Sequence, residues 1–146
     1  MEISILFLPL IASIISGFFG KYIGDRNSEI VTSVLVSISA FLSIFVLYQV
    51  IVNQYEDNIV IATWINSGSL DVNWSMLIDP LSAVMLVVVT SVSSLVHIYS
   101  IGYMSHDPHK PRFMAYLSLF TFAMLMLVTS DNFIQLFFGW EGVGLC

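Results

Sequence analysis

A single acidic residue inside a long apolar stretch is the first candidate for chemistry. Glu141 is the only charged residue in the run FIQLFFGWEGVGLC, residues 133–146. If Asp131 caps a helix that starts near Asn132, Glu141 lies about nine residues into that helix. At ~1.5 Å per residue this is a depth of roughly 14 Å, which is near the midplane of a ~30 Å hydrocarbon layer. A carboxylate at that depth is costly unless it is protonated, hydrated or paired, so Glu141 is predicted to be an intramembrane proton relay. The alternative is a neutral glutamic acid that hydrogen-bonds to a neighbouring helix.

Three glycines surround this carboxylate. Gly139, Gly142 and Gly144 lack the preceding strand that a nucleotide-binding glycine motif requires, so a nucleotide site is not predicted here. We expect them to let another backbone approach the helix beside Glu141, or to permit a local break in it.

His97 is the second candidate, because it is the only histidine or charged residue in the interior of the third predicted span. Ser93 and Ser94 lie one turn before it. A histidine that is hydrogen-bonded to helical serines is usually structural, whereas a proton relay is the alternative role inside a membrane. The sequence leaves both roles open.

The segment SHDPHKPR, residues 105–112, concentrates polar residues in one loop. Ser105, His106 and Asp107 are adjacent in sequence and cannot align as nucleophile, base and orienting acid. His106, Asp107 and His109 could contribute to a metal site, but no fourth ligand is evident. We therefore predict no metal site and expect the loop to cap and position the helix ends.

Serines recur along the second predicted span, in two pairs on different helix faces: Ser33, Ser37, Ser39 and Ser43. The expected role is hydrogen bonding to the carbonyls of the same helix and packing against neighbours. A polar ion path is the alternative, although this span carries no charged residue.

The composition is that of an integral membrane protein. Of the 146 residues, 58% are hydrophobic and 10% are charged, and the mean hydropathy is +0.92. A soluble domain has about a quarter charged residues. The net charge of -6 argues against nucleic acid as a partner. With one cysteine, Cys146, and no haem, flavin or P-loop motif, the chain is predicted to hold no cofactor of its own.

The predicted architecture is an all-α membrane protein with four complete transmembrane helices and a truncated fifth, and with a β-hairpin in the loop between helices 2 and 3. The helices are predicted at residues 3–20, 30–52, 79–104, 113–129 and 132–146, and the hairpin at 59–75. Asp79 suits the N-cap of the third helix and Pro80 its first position. The chain forms a single transmembrane region, and its end inside the fifth helix predicts a fragment or a truncated gene.

The basic residues predict how the chain crosses the membrane. They lie in the first and third loops: Lys21, Arg26, Lys110 and Arg112. The second loop and the turn near Asp131 have none. By the positive-inside rule, the first and third loops face the cytoplasm or matrix, and Met1 faces the periplasm or intermembrane space.

Three segments carry a resemblance to a known family. They are DPLSAVM at residues 79–85, YSIGYMSHDP at 99–108 and FFGWEGVGLC at 137–146. They closely resemble the antiporter-like membrane subunit of NADH–quinone oxidoreductase (respiratory complex I) that is called subunit L in bacteria and subunit 5 in mitochondria. The resemblance covers the whole chain, including the predicted hairpin.

The resemblance implies a proton-translocating subunit at the distal end of the enzyme's membrane arm, in a bacterial plasma membrane or a mitochondrial inner membrane. It implies that Glu141 pairs with a lysine on a later helix. Electron transfer takes place in other subunits, so NADH, FMN, iron–sulfur clusters and quinone are expected there and not in this chain. The expected partners are the other membrane-arm subunits, the lipid bilayer and protons. Family members run several times longer, so this piece alone is expected to be inactive.

Two other functions stay open. The large subunit of an Mrp-type cation/proton antiporter shares the fold and the fifth-helix glutamate with the family above. A non-functional truncated fragment is the other alternative, and the nucleotide sequence beyond codon 146 would distinguish it.

Overall fold

The computed structural model describes residues 1–68 and 70–146. Its elements in chain order are α1 (Glu2–Ile23), α2 (Asp25–Asn53), β1 (Asp57–Ser67), β2 (Leu70–Ile78), α3 (Pro80–Tyr103), α4 (Lys110–Val128) and α5 (Phe133–Leu145). Helices α1 to α4 are each long and apolar enough to cross a membrane, whereas α5 has 13 residues. The predicted fold class is confirmed: four membrane-length helices and a shorter fifth, with a hairpin between the second and third.

The junction between α1 and α2 is much shorter than predicted. The predicted helices 3–20 and 30–52 leave residues 21–29 as a loop between them, but α1 ends at Ile23 and α2 begins at Asp25. Gly24 alone separates them, with φ of 87°, a conformation that glycine adopts without the strain a side chain would cause. The charged residues around it continue the helices, because Lys21 lies in the last turn of α1 and Asp25 in the first turn of α2, where each sign suits the helix dipole.

The hairpin is longer than the predicted 59–75. Its strands pair antiparallel, with Asp57 opposite Ile78. Residue 69 of the predicted hairpin lies outside the described part of the chain. The second strand extends beyond the prediction because its end is covered by the helices, where Met76 and Ile78 are fully buried. The hairpin is therefore part of the packed core.

Helix α4 lies at the centre of the arrangement, because it contacts α1, α2, α3 and α5. Helix α2 packs between α1 and α3. The buried apolar core draws on α1 to α4 and on β2: Ile5, Leu6, Val46, Val50, Met76, Ile78, Ala83, Leu86, Leu125 and Met126. Large apolar side chains such as Phe18, Phe41 and Leu95 are exposed on the outer faces, as expected for a surface that contacts lipid.

Helix α3 begins with the cap that the sequence predicts. Asp79 Oδ1 accepts a hydrogen bond from the Ser82 backbone N–H at 2.6 Å, and Ser82 Oγ accepts one from the Asp79 backbone N–H at 2.8 Å. Pro80 occupies the first helical position, where its missing N–H leaves no hydrogen bond unmade. This cap fixes where α3 leaves the hairpin.

Candidate functional site

Helix α5, which carries Glu141, begins one residue later than predicted. Its N-cap is Asn132 and not Asp131, because the Asn132 Oδ1 accepts a hydrogen bond from the Gln135 backbone N–H at 2.8 Å. Asp131 instead accepts hydrogen bonds from the side-chain amides of Asn58 (3.1 Å) and Asn132 (2.6 Å). Glu141 follows the first residue of α5 by eight positions, about 12 Å along the helix axis.

Two glycines seat α5 directly on α4. A Cβ atom on Gly139 would lie 2.8 Å from the backbone nitrogen of Leu127, and one on Gly142 would lie 3.1 Å from the Ala123 Cβ. The predicted close backbone approach is therefore present, and it is made by α4. The alternative of a local break is not seen, since Phe133–Leu145 is one uninterrupted α-helix.

Glu141 lies on the opposite side of α5 from this contact. At 100° per residue it is turned roughly 160° from Gly139 and about 100° from Gly142. Its side chain is exposed, and it shares this open face with Phe137 (61% exposed) and Trp140 (66% exposed). Among the described residues no cation and no hydrogen-bond donor contacts its carboxylate. The only acid of α5 thus lies among aromatic side chains on a face that this chain leaves open.

The start of α5 is fastened to the hairpin by a side chain that the sequence did not single out. Gln135 is 1% exposed, and its amide pairs with the backbone of Ser75: Oε1 accepts from the N–H at 3.0 Å and Nε2 donates to the carbonyl at 2.6 Å. The ring of Phe138 lies 5.8 Å from that of Trp64 and 5.1 Å from that of Trp74. Gln135 and Phe138 therefore fix α5 against both strands.

His97 is fully buried between α3 and α4 and is hydrogen-bonded through both ring nitrogens. Its Nδ1 lies 2.7 Å from the Ser93 carbonyl oxygen, and its Nε2 lies 3.0 Å from Ser118 Oγ. The Ser93 hydroxyl in turn contacts Thr121 Oγ1, which donates to the Leu117 carbonyl at 2.9 Å. The ring belongs to a continuous hydrogen-bonded group that joins the two helices.

These partners fix the tautomer of the ring. The Ser93 carbonyl can only accept, so His97 donates from Nδ1. In the neutral ring Nε2 then accepts from the Ser118 hydroxyl, and every polar atom of the imidazole has a partner. Such an arrangement joins α3 to α4 without any group from outside the chain.

The two candidate residues lie on different sides of α4. Ser118, which binds His97, is roughly 140° around the helix from Ala123 and about 180° from Leu127, the two residues that receive α5. No hydrogen bond among the described residues connects Glu141 to the His97 group. The structure therefore does not bring them into one site.

Comparisons with known proteins show a similarity to one group of membrane subunits. Residues 64–114 match the family model described as NADH-Ubiquinone oxidoreductase (complex I), chain 5 N-terminus. Proteins named NADH-ubiquinone oxidoreductase chain 5 from Arabidopsis thaliana, Phytophthora infestans and Trichophyton rubrum are 56%, 53% and 51% identical to this chain over 99%, 99% and 100% of its length. The chain is similar to these chain 5 proteins along nearly its whole length. It spans 22% of the length of each of these three relatives.

A solved structure shares the fold of this chain 5 relative. One chain of the membrane-bound sulfane sulfur reductase, an archaeal respiratory membrane complex, superposes with a TM-score of 0.77 at 16% sequence identity, over 99% of this chain and 29% of that one. At this identity the likeness establishes the fold alone. Similarity to the chain 5 proteins, together with the four apolar helices, makes this a multi-pass membrane protein.

The serines of α2 join helices, as expected for packing. Ser39 donates to the Ile5 carbonyl of α1 at 2.8 Å, and the hydroxyls of Ser43 and Thr90 lie 2.8 Å apart across α2 and α3. Ser37 donates to the carbonyl of Ser33 in its own helix at 2.7 Å. Hydrogen bonding to helical carbonyls is therefore present, and the ion-path alternative stays a hypothesis.

The polar loop before α4 brings together fewer ligands than a metal ion needs. Asp107 Oδ1 accepts a hydrogen bond from the His109 backbone N–H at 2.7 Å, as in a turn that positions the start of α4. Across residues 1–68 and 70–146, no three histidine, cysteine, aspartate or glutamate side chains are grouped for a metal ion.

The burial of two polar residues, Gln135 and Glu29, was not predicted from the sequence. Gln135 belongs to no motif, although a lone amide in an apolar helix must find a partner, and that requirement could have flagged it. Glu29 falls in the loop between the first two predicted helices, but it is 4% exposed inside α2. A shorter predicted loop between the first two helices would have included Glu29 in the second helix.

Proposed function

We propose that this chain is part of a proton-translocating membrane subunit of an NADH–quinone oxidoreductase, with Glu141 as an intramembrane proton relay. The observation that carries the proposal is the 56% identity to a named chain 5 over 99% of this chain, which includes the helix of Glu141. The enzyme would couple electron transfer in other subunits to proton movement through this one.

The surroundings of Glu141 support the relay role on physical grounds. The carboxylate lies about 12 Å from the start of α5, on a face shared with Phe137 and Trp140. In a membrane such a group must gain a proton, water or a cation. Because the described residues offer no cation there, we propose that its partner is a lysine on a later helix of the full-length subunit. The partner's approach and withdrawal would make the carboxylate release and take up a proton.

The basic residues support an orientation with the N-terminus on the periplasmic or intermembrane-space side. The α1–α2 junction and the start of α4 lie at one end of the bundle, because Ser16 of α1 donates a hydrogen bond to the Pro111 carbonyl at 2.7 Å. All four lysine and arginine residues lie in these two regions. The positive-inside rule places this end in the cytoplasm or matrix, of a bacterial plasma membrane or a mitochondrial inner membrane.

The proposal assigns the redox chemistry to other subunits. NADH, FMN, iron–sulfur clusters and quinone would be bound there, and this chain would contact the other membrane-arm subunits and lipid. Residues 1–146 alone should carry no proton flux in liposomes, because Glu141 would lack its cation. Sustained flux through this piece would contradict the proposed pairing.

His97 is a secondary candidate whose hydrogen bonds favour a structural role. A relay would have to release the Nδ1 bond to Ser93 or the Nε2 bond to Ser118, and both are buried. We therefore propose that His97 joins α3 to α4. Of the two residues, we therefore propose Glu141 as the proton relay.

An Mrp-type antiporter subunit remains the alternative. The relatives named above favour the redox enzyme. Purifying the full-length subunit with its partners separates the two, since co-purified flavin and iron–sulfur subunits fit only the first.

The decisive experiment replaces Glu141 by glutamine in the full-length subunit within the assembled enzyme. We expect protons translocated per NADH oxidised to fall at least about tenfold, as expected when a proton-transfer group is removed. Glu56→Gln is the matched control, because it makes the same chemical change on an exposed residue between α2 and β1. Unchanged proton translocation in Glu141→Gln would remove the relay role.

A further inference from the structure

A second buried carboxylate lies at the end of the bundle that carries the basic residues. Glu29 of α2 is 4% exposed, and its Oε1 has no hydrogen-bond partner among the described residues. The nearest cation is Lys110 at the start of α4, whose Nζ lies 4.0 Å from Oε1. This separation exceeds that of a charge-assisted hydrogen bond, about 2.7–2.9 Å, so the pair is close without direct bonding.

The junction around Glu29 is rigid. Ser16 of α1 donates to the Pro111 carbonyl of α4, and its Oγ also contacts Ser28 Oγ of α2. A Cβ atom on Gly20 would lie 2.6 Å from the Pro111 Cβ, so α1 and α4 are in close contact here. The packing of these three helices thus keeps Glu29 and Lys110 near each other.

A line of hydroxyls leads from Glu29 toward the centre of the bundle. Ser33 and Ser37 follow Glu29 at intervals of four residues, on one face of α2 and about 6 Å apart. Ser33 Oγ, like Glu29 Oε1, is buried without a hydrogen-bond partner among the described residues. Ser37 Oγ lies 2.8 Å from Ser94 Oγ of α3, which is one turn from His97.

The two unsatisfied oxygens are the informative feature. Buried polar atoms in native proteins are nearly always hydrogen-bonded to protein or to ordered water, and an orphaned carboxylate oxygen is especially costly. Glu29 Oε1 and Ser33 Oγ lie one helical turn apart, a spacing that a bridging water spans. Lys110 keeps 20% of its side chain exposed, so this site reaches the surface.

We propose that Glu29 and Lys110 form a hydrated proton-exchange site at the basic end of the bundle, from which Ser33, Ser37 and Ser94 continue as a polar line toward His97. The proposal rests on the proton-translocating function argued above. Glu29 accepts a proton from water at the Lys110 side and passes it to water beside Ser33, with no other bond made or broken. The ligand of this site is water and its proton.

The test uses the full-length subunit in the assembled enzyme reconstituted into liposomes. Glu29→Gln is expected to lower protons translocated per NADH oxidised about tenfold. Ser33→Ala, which leaves the Glu29–Lys110 pair intact, is expected to lower it about threefold. Ser39→Ala is the matched control, because it removes a buried hydroxyl of the same helix that bonds to Ile5 and lies off the line. An unchanged ratio in Glu29→Gln overturns the proposal, and so does an equal loss in Ser33→Ala and Ser39→Ala.

A spectroscopic measurement covers the case in which Glu29→Gln fails to assemble. Infrared difference spectra during turnover, with ¹³C-labelled glutamate, should show a carboxylic-acid C=O band that Ser33→Ala shifts and Ser39→Ala does not. Absence of any such shift overturns the proposal.

The Glu141→Gln enzyme, measured in parallel, separates the two proposals. If it pumps normally while Glu29→Gln does not, the role of Glu141 fails and this site stands. If Glu141→Gln abolishes pumping and Glu29→Gln has no effect, this site fails alone.

Discussion

The outer face of α5 and the interior between α2, α3 and α4 differ in where their polar groups find partners. In the interior, His97, Ser43 and Thr90 are each hydrogen-bonded to neighbouring helices of the same chain. On the outer face, Glu141 has no polar contact among the described residues and is surrounded by exposed aromatic side chains. These interior groups have their partners within the described residues. Glu141 has none there, which is why we assign the proton relay to its face and a structural role to His97, Ser43 and Thr90.

The largest effect on pumping among the packing variants is expected at the contact that orients this face. Gly139→Ala places a Cβ atom 2.8 Å from the backbone of Leu127, and backbone cannot yield as a side chain would. We expect the variant to lose about 1–3 kcal/mol of unfolding free energy, and to pump less because α5 shifts with Glu141. Chemical denaturation of the full-length subunit in detergent measures the first effect and liposome flux the second.

Gly144→Ala is the control for this substitution, because a Cβ atom there meets nothing within 4 Å. Both variants replace glycine by alanine within α5 and so change helix propensity in the same way. The difference between their unfolding free energies therefore reports the packing of α5 on α4. Equal stability of the two would show that α5 is not seated on α4 as described.

Much of this arrangement can be predicted from the sequence. The features that cannot be predicted all have the same physical cause. The spans, the hairpin and the Asp79 cap were predictable because hydrophobic length and capping are local properties. The cap at Asn132, the pairing of Gln135 with Ser75 and the burial of Glu29 depend on which elements meet in space. The local sequence pattern does not show which elements come into contact in the fold. An amide or a carboxylate therefore gives the same local pattern whether its partner is a strand or water.

The second prediction concerns the attachment of α5 to the hairpin. Gln135→Leu removes both hydrogen bonds to Ser75 and leaves a buried N–H and C=O unpaired, which costs about 1–3 kcal/mol for each unsatisfied group. We expect a lower denaturation midpoint and increased protease cleavage of the hairpin. Gln49→Leu on α2, a half-buried glutamine, is the control and should change neither. A hairpin equally protected in both variants would contradict the attachment.

A smaller effect is expected in the interior. A double-mutant cycle of Ser43→Ala and Thr90→Val should give a coupling free energy of about 0.6 kcal/mol between the two hydroxyls. This is the average for hydrogen bonds between membrane helices. The pair Ser39 and Thr90 supplies the control cycle, since Ser39 bonds to α1 and should be uncoupled. A coupling free energy several times larger would mean that the interior hydrogen bonds contribute more than helix packing requires. It would weaken the contrast with the face of Glu141.

The smallest effect should appear at the turn between α4 and α5. Partial burial would raise the pKa of the Asp131 carboxyl group. Hydrogen bonds to the carboxylate, those from Asn58 and Asn132 among them, outweigh this burial and hold the pKa of Asp131 below its ordinary value of 3.8. A carboxyl group with a lowered folded-state pKa stabilises the fold above its ordinary pKa, and this contribution is lost as the pH falls through the lower value. Between pH 5 and that value, the wild type should therefore lose slightly more stability than Asp131→Asn, and only slightly because the group is exposed. Coincident acid-denaturation curves for the wild type and Asp131→Asn would show that the turn is not held by this carboxylate.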